Sequence, residues 1–226
     1  MHNTNTTMRL ALALALAGGA FAAQAQSANT WMVGIGATQI KPHVSSGSLT
    51  APSSPNTQVD IQSDTQPTVW VTRMLTDNWS VEVPIGLGFK HKIVGAGAIA
   101  GVGQVGTVRA LPITVFGQYR FLEATSRIRP YAMLGVTYAH FYKAQGSATL
   151  SALNPLNPPG GTGLSVDSKW ALTPGLGVTA MLNDRWFLDV QYARAFLKTS
   201  AKLSTGQTIA TKLDPDEFRV GVGMRF

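Results

Sequence analysis

Four charged residues carry the most legible chemistry of this chain: Glu82, Arg120, Asp189 and Arg225. Each stands on the polar side of an alternating apolar–polar run, a few residues from one end of it. Successive side chains of a β-strand point to opposite faces, so in a closed sheet these four share one interior. Glu82 and Arg120 fall on neighbouring runs, as do Asp189 and Arg225. In a confined interior such pairs form a salt network, which fills space and obstructs passage. Catalytic chemistry is harder to find. His43, His91 and His140 fall in or near loops with no partner at metal-ligand spacing, and no Ser/His/Asp arrangement is recognisable. The chain has no cysteine, which removes thiol nucleophiles, disulfides and zinc–thiolate sites together. We expect no enzymatic activity, no metal and no cofactor, with a lipid-modifying barrel enzyme as a remote alternative.

The same polar faces carry pairs of glycines: Gly34 and Gly36, Gly86 and Gly88, Gly175 and Gly177, Gly221 and Gly223. Glycine removes side-chain volume. One reading is relief of tight barrel curvature; the other is space for a slender ligand.

The elements that must position these residues are strands. Glu217–Phe226 alternates Phe218, Val220, Val222, Met224 and Phe226 with polar residues and glycine. That is the pattern of a strand with lipid outside and a polar lumen inside, and it demands a closed barrel, since no open edge survives in hydrocarbon. Trp79–Phe89 is the cleanest of the other runs, with Trp79, Val81, Val83, Ile85, Leu87 and Phe89 on one face. Further runs begin near Trp31, Thr68, Arg109, Arg129, Lys169 and Trp186. The fold class is therefore all-β, an eight-stranded antiparallel transmembrane barrel. Its connections alternate short and long, placing both termini on the periplasmic side. Eight strands leave room for side chains or one small ligand, which excludes a wide aqueous pore. Trp79, Phe121, Trp186 and Phe226 form a periplasmic aromatic girdle, and Tyr138, Phe141 and Tyr142 are candidates for the outer one.

The first 25 residues read as a secretory signal peptide: Arg9, a Leu/Ala run from Leu10 to Ala17, and an Ala23-Gln24-Ala25 cleavage site. The barrel would then occupy 26–226. Only 13% of residues are charged and the formal net charge is +7. Lys90, His91 and Lys92, and Lys198, Lys202 and Lys212, fall near loops, where they either meet anionic lipid headgroups or lipopolysaccharide phosphates or serve as ordinary solubilising charges. An exported chain without a basic-aromatic module is not expected to bind nucleic acid.

Several blocks, in order along the mature chain, resemble the outer membrane protein W family, which includes alkane-uptake barrels. They are Gly88-Phe89-Lys90-His91, Gly106 to Pro112, Gln118 to Phe121, Arg129-Pro130-Tyr131, Asp167-Ser168, Asp214-Pro215 and Arg225-Phe226. The resemblance implies a narrow apolar channel for small hydrophobic solutes in the bacterial outer membrane, with Trp170 near that channel. It also implies that Phe226 is the terminal signal for the barrel assembly machinery. A non-transporting structural or adhesive barrel, such as a phage or bacteriocin receptor, is the alternative. A periplasmic plug of Glu82, Arg120, Asp189 and Arg225 would force an apolar solute to leave sideways into the bilayer.

Overall fold

In the computed structural model of the chain, residues 26–156 and 158–226 are described; the expected signal peptide lies outside them. The elements run β1 (Trp31–Lys41), β2 (Ser45–Ser46), β3 (Thr57–Ile61), β4 (Asp64–Met74), β5 (Trp79–Gly86), β6 (Phe89–Gly97) and β7 (Gln104–Arg120). There follow β8 (Ile128–Gly146), a short helix α1 (Ala148–Leu153), β9 (Leu164–Val166), β10 (Lys169–Met181), β11 (Trp186–Arg194), β12 (Lys198–Leu203), β13 (Thr208–Lys212) and β14 (Asp216–Arg225).

Antiparallel pairing closes the wall: β1 bonds β4 on one side and β14 on the other, and the ring continues through β5, β7, β8, β10 and β11. β6 continues the stave begun by β5, which makes eight staves in all. Backbone bonds between Trp31 and Phe226 tie the two ends of the described chain together. Side chains sort as the alternation requires. Val33, Ile35, Ile85, Val115, Val136 and Val220 are exposed on the outer wall, whereas Thr72, Glu82, Gln118, Thr179 and Asp189 are buried within. This inversion of the usual globular pattern is what a lipid solvent demands.

The two ends of the barrel differ. At the turn end the strands are joined by tight connections, and Trp31, Trp79, Tyr119, Phe121, Trp186 and Phe226 stand exposed. Trp79 meets Tyr119 at 5.1 Å and Tyr119 meets Phe121 at 5.2 Å, both edge to face. Arg129 is fully buried and donates to the carbonyls of Gln26, Asp77, Phe121 and Leu122, holding the turns together. At the loop end the wall continues well past what a bilayer needs. β7 has 17 residues and β8 has 19, against the roughly 9–11 that span hydrocarbon. β3 pairs with β6 there, and β2, β13, β12 and β9 form a second small sheet. The long connection Lys143–Val166 contains the end of β8, α1 and β9; the Ser147 hydroxyl caps α1 by accepting from the Leu150 N–H.

One stave departs from the reading of its sequence. Trp79–Phe89 was expected to be one uninterrupted strand with Phe89 on the lipid face. The ladder breaks after Gly86, and Phe89, His91 and Ile93 are buried while Lys90 and Lys92 are exposed. Glu82 pairs with Phe116 and Phe89 with Ala110, so Val83–Gly88 has one residue more than the segment it faces. A one-residue slip moves every later side chain to the opposite face.

Candidate functional site

The lumen is built in two parts. Its lower part, toward the turn end, is a buried polar network. The guanidinium of Arg219 forms ion pairs with Glu82 at 2.8 Å and Asp189 at 3.2 Å, all three nearly inaccessible. It also stacks over the Trp70 ring at 4.1 Å. Glu82 accepts from Thr72 and Gln118; Asp189 accepts from Tyr131 and Thr179. Arg120 donates to Ser80, Gln118 and Thr179 and lies over the Tyr131 ring. A network with so many satisfied partners holds buried charge at tolerable cost.

This corrects the expected pairing. Glu82, Arg120 and Asp189 do meet in the interior. Arg120, however, is held by neutral oxygens, and Arg225 points to the rim, where it donates to the Asp184 carbonyl. The cation that joins the two carboxylates is Arg219. The alternation Phe218-Arg219-Val220 already put it on the inner face; its distance from the strand end hid its role.

The glycines are corrected as well. A Cβ at Gly34 or Gly221 would strike the Trp70 indole, at Gly223 the Phe187 ring, at Gly177 the Tyr131 ring and at Gly175 the Met133 methyl. At Gly88 it would strike the Tyr142 hydroxyl, and at Gly36 the backbone of β14. The space these residues leave is therefore occupied, by a large side chain or by close strand approach. Of the eight, Gly86 alone has ordinary room, its nearest neighbours being Pro67 and Thr68 at 3.4 Å. Trp170 is also not in the lumen. Ala171 and Thr173 take the inner positions, and Trp170 is 69% exposed on the outer wall, 4.9 Å from Tyr138. Phe141, a candidate for the outer girdle, faces inward.

The upper lumen is different in kind. A cavity of about 80 Å³ lies under the loops, enclosed by residues such as Val59, Ile99, Leu150, Leu164 and Leu203. Below it is one of about 50 Å³, sharing Ile61, Val108, Phe141 and Leu213 with the first. A third, of about 40 Å³, shares Ile40, Pro112 and Glu217 with the second and ends on Phe116 and Arg219. Together they form one apolar succession from the loops to the polar network.

The third cavity also reaches the wall. No ladder pair joins Val83–Gly88 to Leu111–Val115 among the described residues. Pro84 and Pro112 lie in this seam and bring no N–H to it. Leu87, 63% exposed on the outside, lines the cavity together with the inward Thr38 and Glu217. Unpaired backbone is tolerated at membrane depth where it borders a cavity. His91 donates or accepts at Nδ1 with the Gln62 carbonyl, 2.8 Å away, and sits beside the middle cavity. Burial lowers its pKa, against the opposing pull of the Gln62 carbonyl and Asp64. His43 approaches Asp216 at 2.5 Å on the loop-end rim.

Comparison with known proteins agrees with this architecture. The model of the OmpW family matches residues 28–226. Outer membrane protein W of Vibrio cholerae serotype O1 is 30% identical over 210 residues, covering 89% of this chain and 91% of that protein. The dibenzothiophene metabolism operon protein PahQ of Pseudomonas aeruginosa is 25% identical over 155 residues, 67% of each chain. The crystal structure of the outer membrane protein OprG from Pseudomonas aeruginosa superposes with a TM-score of 0.78 at 24% identity, covering 88% of this chain and 97% of that one.

Proposed function

The chain belongs to the OmpW family and is a barrel of the bacterial outer membrane, and from that premise we propose that it is a narrow channel for passive uptake of small hydrophobic molecules. The solute enters between the loops, descends the three apolar cavities and leaves sideways through the seam beside Gly86 and Leu87 into the bilayer. The observation that carries this reading is the third cavity, walled by lipid-side Leu87 and lumenal Glu217 at once and floored by the Glu82–Arg219–Asp189 network. The driving force is removal of apolar surface from water, roughly 25 cal/mol per Å². The floor denies the solute a straight path to the periplasm. A relative named for dibenzothiophene metabolism makes a compact aromatic a reasonable cargo.

The test is uptake of a hydrophobic fluorescent probe by cells lacking other uptake barrels. Gly86→Leu fills the third cavity without a backbone clash, so uptake should fall several-fold at unchanged barrel yield. Gly117→Leu on the outer wall is the control and should leave uptake as it was. Normal uptake through Gly86→Leu would remove the lateral route.

A second reading, a surface barrel that binds lipopolysaccharide or another anionic partner, draws on the hairpin of β12 and β13. Lys198 stands directly opposite Lys212 there, and both are exposed with Lys202. Like charges opposite one another repel; Asp214 at 2.9 Å relieves Lys212, and a bound phosphate would add a counter-charge for Lys198 and Lys202.

A further inference from the structure

We propose that the floor of the apolar succession is a recognition subsite for a neutral hydrogen-bonding head, a hydroxyl group, so that the preferred cargo is a small apolar molecule carrying one hydroxyl rather than bare hydrocarbon. This deepens the uptake reading above and rests on it for the route by which the solute arrives.

The third cavity is two-faced. Ile40, Phe89, Pro112 and Phe116 line it with apolar surface, and Thr38, Thr68, Glu217 and Arg219 with polar groups. The polar wall is conspicuous for what it leaves unbonded. The hydroxyls of Thr38 and Thr68 are buried, at 8% and 6% exposure, and have no hydrogen-bond partner among the described residues. Neighbouring inward threonines are bonded: Thr72 to Glu82, Thr179 to Asp189, and Thr114 to Thr137 to Thr173. Arg219 gives Nη2 to Glu82, Asp189 and Gln191, yet its Nε has no partner. Glu217 stands at the junction of the two lower cavities and makes no hydrogen bond or ion pair among the described residues. Thr38 pairs with Arg219 and Ile40 with Glu217 across the β1–β14 ladder, so three of these groups share one short stretch of wall. Buried polar groups without partners are costly, and a cluster of them bordering one cavity marks where a ligand's polar atom would be stabilised.

The chemistry of the head follows from the atoms offered. Glu217 accepts, Arg219 Nε donates, and threonine hydroxyls do either. A hydroxyl can donate to Glu217 and accept from Thr38 or Arg219 at once. A carboxylate head is disfavoured because the one guanidinium lining this cavity, Arg219, is already paired with Glu82 and Asp189. An ammonium head must shed its hydration to pass Ile61, Val108, Phe141 and Leu213, which is a large desolvation cost, and then meets Arg219.

The test compares 1-naphthalenemethanol with 1-methylnaphthalene, of nearly equal size. Binding to the purified full barrel in detergent is measured by competition with a fluorescent probe, and uptake is measured in cells lacking other uptake barrels. The alcohol should bind about tenfold tighter, as one charge-assisted hydrogen bond allows. Glu217→Leu should bring the ratio of the two affinities near unity, and so, independently, should Thr38→Val with Thr68→Val. Naphthylmethylamine and naphthoate should bind more weakly than the alcohol. Equal binding of alcohol and hydrocarbon to the wild type, or a preference untouched by both sets of substitutions, overturns the subsite while leaving hydrocarbon uptake standing. Tighter binding of the amine overturns the neutral head. Selective binding without uptake in cells upholds the subsite and removes the uptake route instead.

Discussion

Below Phe116 the lumen is filled with aromatic rings seated on glycines and with two carboxylates tied together by Arg219. Above Phe116 the same staves enclose cavities lined by Ile, Val, Leu and Ala. The wall is continuous between the two halves; the inward residues alone change. In the lower half, glycine faces Trp70, Tyr131 or Phe187, the small-against-large packing that fills a narrow barrel. In the upper half, Ala139, Ala171 and Ala195 cluster with Leu197 and Leu213 against partly buried Ile61 and Phe141, and cavities remain between these side chains. Glycine at an inward position therefore does not announce a passage. What opens the lumen is the lack of anything long enough to cross it.

The strongest way to break this contrast is to remove the cation of the lower half. Arg219→Ala leaves Glu82 and Asp189 buried beside one another without their shared partner. Removing one member of a buried charge set costs about 3–5 kcal/mol, and we expect a loss of that order in urea unfolding from bilayers. A change under 1 kcal/mol would mean that water or Arg120 neutralises the two carboxylates, and that the floor is less sealed than its geometry.

The next test sets one half against the other with a single methyl group. Gly177→Ala must displace Tyr131 and approach the Val190 carbonyl. Overpacking of this kind costs about 1–3 kcal/mol. Gly86→Ala meets only ordinary contacts and should change stability by less than about 0.5 kcal/mol. If both substitutions were equally mild, the lower lumen would have slack that the aromatic seats do not show.

How much of this is legible in the sequence follows from which physical rule governs each residue. The eight staves are, because every outward position must satisfy lipid and every strand has a period of two; Val33, Val83, Val136 and Val220 each obey it. Phe89 is not, since its facing is set by one extra residue between Gly86 and the resumed ladder, and no alternation pattern reveals a break that lies in the partner strand's count. Trp170 is misplaced for the converse reason. A family resemblance put it near the channel, whereas its own parity with Thr173, Gly175 and Gly177 puts it outside. Glu82, Arg120 and Asp189 are recognisable as interior charges, but Arg219 pairs with Asp189 on the neighbouring stave and also across the lumen, where the stagger of a tilted barrel decides which charges meet. Arg219 reaches Glu82 in that way, across two intervening strands. The glycine pairs were visible and their meaning was not, because the ring that occupies each one belongs to another strand.

The smallest expected effect lies at the opposite end from the buried network, on the loop-end rim, and it measures how far the contrast between halves depends on burial. Asp216 accepts hydrogen bonds from Tyr192 and His43, with Arg194 at 3.8 Å, and its side chain is 25% exposed. Burial pushes its carboxyl up, but the bonds from His43 and Tyr192 outweigh this and hold it below the ordinary value of 3.8. A carboxyl held low in the folded state stabilises fully above its unfolded value, and that stabilisation is lost as pH falls through the folded one. Asp216→Asn should therefore cost at most about 0.5–1 kcal/mol at pH 6, the scale of a solvent-screened pair, and the difference from wild type should shrink progressively as pH falls below the ordinary value of 3.8. A difference that stayed constant through that range would mean that the His43 and Tyr192 bonds do not hold the Asp216 carboxylate in its charged form.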